Sequence, residues 1–268
     1  MRGTGISLLC TVFCFLILVA CSAPAPEATR EPVKLRLVTA DSCAPLAAGF
    51  AAAYEESHPW VTVQTEVFNS MLARRALRDG QAELALLSWV AESGYDRERP
   101  LWAQPFARDG IAVITHPSTP LTEVSIALLQ SIFRGQVQEW EGMPITVVSR
   151  EEGSGTRAVF DRTVLGIHKV AHTAVLFSSS DAVIEYVAQT PGAIGYVSTL
   201  RLGDPETAGV RILPVDGVLP DRTTVYDGSY PIARPLYLAT YGEPLGEARE
   251  FAQWVLGPQG QLLCQADG

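Results

Sequence analysis

Two α/β lobes joined by two chain crossings are the fold class this sequence predicts. Strand-like and helix-like segments alternate through most of the chain, and clusters of turn formers interrupt them at 117–120 and 227–231. The 268 residues also exceed what one ordinary core requires.

The first twenty-one residues read as an export and anchoring signal. Arg2 supplies a positive start, Ile6 to Val19 is an apolar run too short for a comfortable membrane span, and Leu18-Val19-Ala20-Cys21 has the form of a lipoprotein processing site. Residues 1–20 are the expected signal peptide. Lipid on Cys21 would then tether the protein to the cell membrane, because several acyl chains hold far better than one. Residues 21–32, rich in Ala, Pro and Glu, form the expected tether. Removing 1–20 takes away one positive charge, Arg2, from a net charge of −9, so the mature chain carries −10 over 248 residues. An acidic chain is a poor partner for nucleic acid, and a small anion must be attracted by a local site rather than by the whole field.

Each element of the first lobe follows from its residues. Val33 to Thr39 is a strand, and Ser42 is placed as the N-cap of a helix with Pro45 in its first turn and Leu46, Phe50, Ala53 and Tyr54 on its buried stripe. Val61, Val63 and Val67 alternate as in a strand, Ala73 to Leu77 is helical, and Leu84 to Leu87 and Ile111 to Thr115 are buried strands. Residues 33–116 and 231–268 are the expected outer lobe, with 117–230 inserted into it.

Within the insert, Thr122 is read as opening a helix through Ile126, Leu129, Ile132 and Phe133 that Gly135 closes. Ile145 to Val148, Val175 to Phe177, Ala193 to Val197 and Val210 to Pro214 are strands, and Asp181 to Gln189 is a helix stopped by Pro191-Gly192. Pro231 to Thr240 returns as a strand, and two helices, Ala248 to Leu256 and Gln259 to Ala266, end the chain.

The segment Arg150-Glu151-Glu152-Gly153-Ser154-Gly155-Thr156 carries the chemistry. A strand ending in Gly-Ser-Gly-Thr before an apolar-periodic stretch (Ala158, Val159, Phe160, Val164, Leu165) turns a helix N-terminus toward the strand end, where its free amides face a ligand. Two glycines admit close approach, Ser154 and Thr156 add hydroxyls, and Arg150 offers a planar fork for two oxygens. In open α/β lobes ligands sit at the carboxyl ends of strands, so Ser42, Ser70 and Ser88 are expected to face this loop across a cleft.

Several ordered motifs give the chain a family resemblance. Leu121-Thr122, Ile132-Phe133-Arg134-Gly135, Trp140-Glu141-Gly142, Pro144 through Arg150, Gly153-Ser154-Gly155-Thr156-Arg157, Pro191 through Val197, Tyr230 through Leu238 and Gly257-Pro258-Gln259-Gly260-Gln261 follow one another across nearly all of the mature length. In these the chain resembles phosphate-binding proteins of bacterial ABC importers. The resemblance implies a type II periplasmic-binding-protein fold, each lobe a mixed sheet flanked by helices around two hinge crossings. It implies phosphate as ligand, an ABC permease of the inner membrane as partner, and a monomer needing neither cofactor nor metal. Carried over by position, it makes Ser42, Ser70, Ser88, Arg150, Ser154, Gly155 and Thr156 the phosphate-binding residues and Glu152 the acid that orients Arg150.

The departures bear on which anion is bound. Thr39-Ala40-Asp41-Ser42 and Asn69-Ser70-Met71-Leu72 stand where the family has more glycine and small hydroxyl residues, so Met71 and Leu72 are expected to crowd the ligand. Leu87-Ser88-Trp89 lacks the aspartate or arginine that some phosphate binders place there. Protonated phosphate wants an acceptor, which leaves Asp41 or Glu152 to supply one. Sulfate, molybdate or tungstate binding is the alternative, as is a non-transport phosphate sensor.

An enzyme is the competing class. Ser154 lacks the glycine frame of a nucleophile elbow, because Glu152 and Thr156 occupy the outer places, and the chain has four histidines. His168 and His172 have the i, i+4 spacing of metal ligands on a helix but lack an adjacent acid. Cys43 and Cys264 would remain as thiols or a disulfide, and spacing alone does not choose.

Overall fold

The computed structural model describes residues 30–90 and 100–267, with side chains through 265. The expected signal peptide, Cys21 and all but the last residues of the expected tether lie outside the described residues, so these readings remain expectations. Among the described residues no helix is long and apolar enough to cross a membrane.

Elements follow the sequence closely in the first lobe. β1 (Val33–Ala40), β2 (Val61–Phe68) and β3 (Leu84–Leu87) form a parallel set with β1 in the middle. α1 (Ala44–Ser57) and α2 (Ser70–Arg78) are the crossover helices. Leu46, Phe50 and Tyr54 recur at helical spacing, so α1 lays one face on the sheet, where Leu37, Leu86, Leu238 and Phe251 complete a buried cluster. Burying a Leu or Phe of this kind is worth about 1.5–3 kcal/mol.

The expected reading of Ser42 as N-cap is corrected. Residues Asp41–Cys43 make a 3₁₀ turn before α1, and no side chain caps the helix. The hydroxyl of Ser42 is buried without a hydrogen-bond partner.

β4 (Leu101–Thr115) is longer than expected. Gln104, Pro105, Arg108 and Asp109 hide its first half from an apolar-run reading, yet that half pairs antiparallel with β11 (Ala233–Tyr241). The register shifts between Leu236 and Tyr237, opposite Ala107 and Pro105, so Phe106 is the extra residue of a bulge that accommodates the proline.

Beyond Gly110, β4 pairs with β9 (Ala193–Ser198) and β10 (Arg211–Leu213). β9 continues to β7 (Thr146–Arg150), and β7 to β8 (Val175–Phe177). One path therefore runs β2-β1-β3-β11-β4-β9-β7-β8, with β10 added on β4.

Core membership changes along these long strands. Phe106 packs into the first cluster, whereas Ile111 and Val113 join a second one with Leu129, Phe133, Val159 and Tyr196. On the return, Ile232 belongs to the second cluster and Leu236 to the first. Core membership thus changes between Phe106 and Ile111 and again between Ile232 and Leu236, and the lobe boundaries at 117 and 231 remain expectations. An extended strand needs no turn to leave one core for another. The breakers at 117–120 instead turn the chain after β4 inside the second lobe, where Thr119 N–H bonds to the carbonyl of His116.

The inserted lobe holds α3 (Ile126–Phe133), the hairpin β5 (Glu139–Trp140) and β6 (Met143–Pro144), α4 (Gly155–Phe160), α5 (Ser180–Gln189), α6 (Thr199–Leu202) and α7 (Arg222–Asp227). α3 is capped by Ser125, three residues later than the expected Thr122. α4 runs into a π-helical turn over Asp161–Leu165. Two helices, α8 (Gly246–Leu256) and α9 (Pro258–Asp267), close the chain.

Candidate functional site

Four segments converge between the lobes. The 3₁₀ turn after β1 brings Asp41 and Ser42, the start of α2 brings Ser70, β3 ends at Ser88, and the β7–α4 turn brings Arg150, Ser154, Gly155 and Thr156. Together with Ala40 and Asn69 these residues line one tight pocket, too narrow as it stands in this structure to admit a water molecule. Every one of the seven expected phosphate ligands lines it. All seven are buried.

Local rules explain the placement. Asn69 accepts from Leu72 N–H and Ser154 from Arg157 N–H, so both helices start with a side-chain cap and aim their first amides at the cavity. Gly155 has no spare room: a Cβ there would overlap the hydroxyls of Ser70 and Ser88, which are 3.0 Å apart. Gly153, at φ +89°, takes the left-handed bend that lets its carbonyl accept from Met71 N–H across the cleft. Met71 and Leu72, expected to crowd the cavity, point outward and are exposed.

Arg150 is 1% exposed, and its fork is held from several sides. Nη1 donates to Asp41 Oδ2 and Ser180 Oγ, both at 3.0 Å, and Nη2 donates to the carbonyl of Ser178 at 2.9 Å. Nε is shared between Glu151 and the carbonyl of Phe177. One Nη2 hydrogen is left over. Glu152, expected to orient this arginine, is exposed and makes no contact with it. The neighbouring Glu151, just past the end of β7, and Asp41 of the other lobe hold the guanidinium instead.

Asp41 is the residue the family pattern would have missed. Its Oδ2 accepts from Arg150, from Ser180 Oγ at 2.6 Å and from Ser180 N–H at 3.2 Å. Its Oδ1 takes no hydrogen bond among the described residues. A serine run, Ser178 to Ser180, opens α5 here, with Ser179 as N-cap, and its position before Asp181 was the available sequence signal. Behind the site, Tyr196 bonds Ser149 Oγ at 2.7 Å and stacks on Phe160, while Arg157 Nη1 bonds the Arg150 carbonyl. Burial pushes the Tyr196 hydroxyl above its ordinary range, so it stays a neutral hydrogen-bonding group.

Other candidates do not gather here. His168 and His172 lie in an exposed loop rather than on a helix, so their spacing loses its metal-binding geometry. Among the described residues no group of His, Cys, Asp or Glu is arranged for a metal ion. Cys43 and Cys264 are separate thiols, and burial pushes Cys43 up to about 12, which leaves no thiolate for nucleophilic work.

Comparison with known proteins agrees with this geometry. A PBP superfamily domain matches residues 25–259. The chain is 30% identical over 218 residues to the phosphate-binding protein PstS of Bacillus subtilis, covering 79% of this chain and 71% of the relative. The chain belongs to the PBP superfamily, in the PstS family. A crystal structure from Clostridium perfringens, described as a phosphate ABC transporter substrate-binding protein with bound phosphate, superposes at TM-score 0.77 with 25% identity over 87% of this chain and 97% of that one. An ABC-type phosphate transport receptor from Vibrio cholerae shares the fold at TM-score 0.71 and 24% identity, over 87% and 98% of the two chains. The PstS family is one of substrate-binding transport proteins, and this chain has its mixed α/β architecture.

Proposed function

We propose that the chain binds inorganic phosphate between its lobes outside the cytoplasm and hands it to an ABC importer, without catalysing a reaction. The observation that carries this reading is the convergence of Ser42, Ser70, Ser88, Arg150, Ser154, Gly155 and Thr156 on one small buried space. Two capped helix starts and the orphan hydroxyl of Ser42 supply donors aimed at an anion. Arg150, already balanced by Asp41 and Glu151, contributes chiefly a positioned N–H, so neutral donors do most of the binding. Each hydrogen bond to a charged group is worth about 1.5–3 kcal/mol. The family relation to PstS supports phosphate as the particular anion.

Asp41 supports protonated phosphate over sulfate. Its Oδ1, with no hydrogen-bond partner among the described residues, can accept the P–O–H hydrogen, whereas a fully deprotonated oxyanion would set an acceptor against a carboxylate. Lipid on Cys21 would keep the protein at the membrane, as a monomer beside its permease.

Calorimetry with phosphate, sulfate, arsenate, molybdate and tungstate tests the reading. Phosphate should bind tightest, and Arg150→Ala should weaken it by about 2–5 kcal/mol. Unchanged affinity in that variant would overturn the site. Turnover of a generic phosphoester by the wild type would overturn the binding-only reading.

A further inference from the structure

A groove beside the anion cavity carries an unusual concentration of positive charge for so acidic a protein. It is lined by Ser70, Met71, Leu72, Arg74, Arg75, Arg78, Trp89 and Tyr241, and Ser70 is shared with the cavity. Ser70, Arg74 and Arg78 are spaced i, i+4, i+8, so they form one stripe along α2 that begins at the site and runs outward about 12 Å. Arg75 and Arg78 are paired with Asp79, at 3.5 and 3.1 Å, and remain well exposed. Arg74 has no ion-pair partner among the described residues. Among the described residues of this helix face, three guanidiniums stand against one carboxylate, Asp79, whereas the whole chain carries −9.

Helix stability explains only part of this. Arg75 and Arg78 sit in the last turn of α2 and favour its dipole. Arg74 stands mid-helix, half-buried, on the groove side. Inside the cavity Arg150 is offset by two carboxylates, Asp41 and Glu151, and it belongs to the opposite lobe. Among the described residues that line the cavity, the outer half, with Asp41, Ser42, Ser70 and Ser88, contributes no cation of its own to draw an anion against the acidic surface.

We infer that Arg74, backed by Arg75 and Arg78, is a capture track that concentrates the oxyanion at the mouth of the cleft and passes it down the α2 stripe to Ser70. The inference rests on the anion-binding reading and adds to it the route of entry. With a screening length of about 8 Å at physiological salt, Arg78 acts on the approaching ion and Arg74 within reach of Ser70. Local fields of this sort raise association rates by about tenfold or more and fade as salt rises. They leave dissociation nearly untouched, because the bound anion is held by the cavity.

Stopped-flow fluorescence of the full chain with inorganic phosphate tests this, since Trp89 lines the same groove. At low salt the double variant Arg74→Gln/Arg78→Gln should associate about tenfold more slowly, with its dissociation rate unchanged and a flatter dependence on salt. Arg134→Gln, on the other lobe, should behave as wild type. An unchanged association rate in the double variant, or a loss confined to dissociation, overturns the capture track while leaving the site intact. Failure of the wild type to bind any oxyanion would instead overturn the reading on which it rests. If the double variant is poorly folded by circular dichroism, Arg74→Lys and Arg74→Gln are compared: charge steering requires Lys to retain the rate and Gln to lose it.

Discussion

Two buried arginine–aspartate pairs do opposite work. Arg150 and Arg234 are each 1% exposed, and each meets an aspartate within 3.0 Å. Arg234 and Asp109 are direct partners on neighbouring strands β11 and β4, at the place where core membership changes. Arg234 puts Nε and Nη2 on one oxygen, Ser198 donates to both and Thr199 to the other, so Asp109 is saturated. Arg150 and Asp41 come from different lobes, and Asp41 keeps an oxygen free. Parting of the lobes would leave the first pair together, since both partners lie on adjacent strands, and would break the second. A buried pair within one sheet therefore serves as a pivot, and a buried pair across a cleft serves as a clasp that a ligand can strengthen.

The largest test of this contrast is Asp109→Ala. It strands a buried guanidinium and should cost about 3–5 kcal/mol of folding stability in denaturant melts. Adding Arg234→Met to Asp109→Leu should recover most of that loss, since a well-packed apolar pair can replace a buried ion pair. No recovery would mean that the pair is more than a pivot.

Asp41→Asn should behave differently. Phosphate affinity should fall by about 1.5–3 kcal/mol and the preference over sulfate should narrow, while the melt changes by less than about 1 kcal/mol. A stability loss as large as that of Asp109→Ala would erase the distinction between clasp and pivot. Ser42→Ala is smaller again: about 1 kcal/mol of affinity by calorimetry, with stability unchanged or slightly raised because its orphan hydroxyl is removed.

Asp161→Asn should have the least effect and a clear pH signature. Burial raises the Asp161 carboxyl above its ordinary range, more than Arg157 lowers it, and its Oδ1 has no partner. A folded pKa above the unfolded one means the folded state binds the proton more tightly. The wild type is therefore penalised once pH rises past the unfolded value near 3.8, increasingly so up to the folded one. The variant should match wild type below that window and gain stability on it above. Equal melts across pH 3–7 would remove Asp161 from this account.

Sequence alone determined the alternation of strands and helices, the donor-rich β7–α4 turn and seven of the ten residues that line the cavity. These are local properties. Periodicity, helix caps and glycine spacing are written within a few residues of where they act, and caps at Asn69 and Ser154 follow from them.

What the sequence could not show was which distant groups meet. The first half of β4 was hidden because its polar residues are satisfied by β11, more than a hundred residues away. The change of core along β4 and β11 was hidden because leaving one core for another within a strand leaves no turn signal. Glu152 and Glu151 are equivalent to a motif, and only the turn that follows β7 brings Glu151 to Arg150 and leaves Glu152 in solvent. Asp41 reaches Arg150 across 109 residues and Ser180 across 139, a convergence set by sheet order and by the way one lobe rests on the other. Local chemistry fixed the donors of this site. Only the tertiary structure decided which carboxylate faces them.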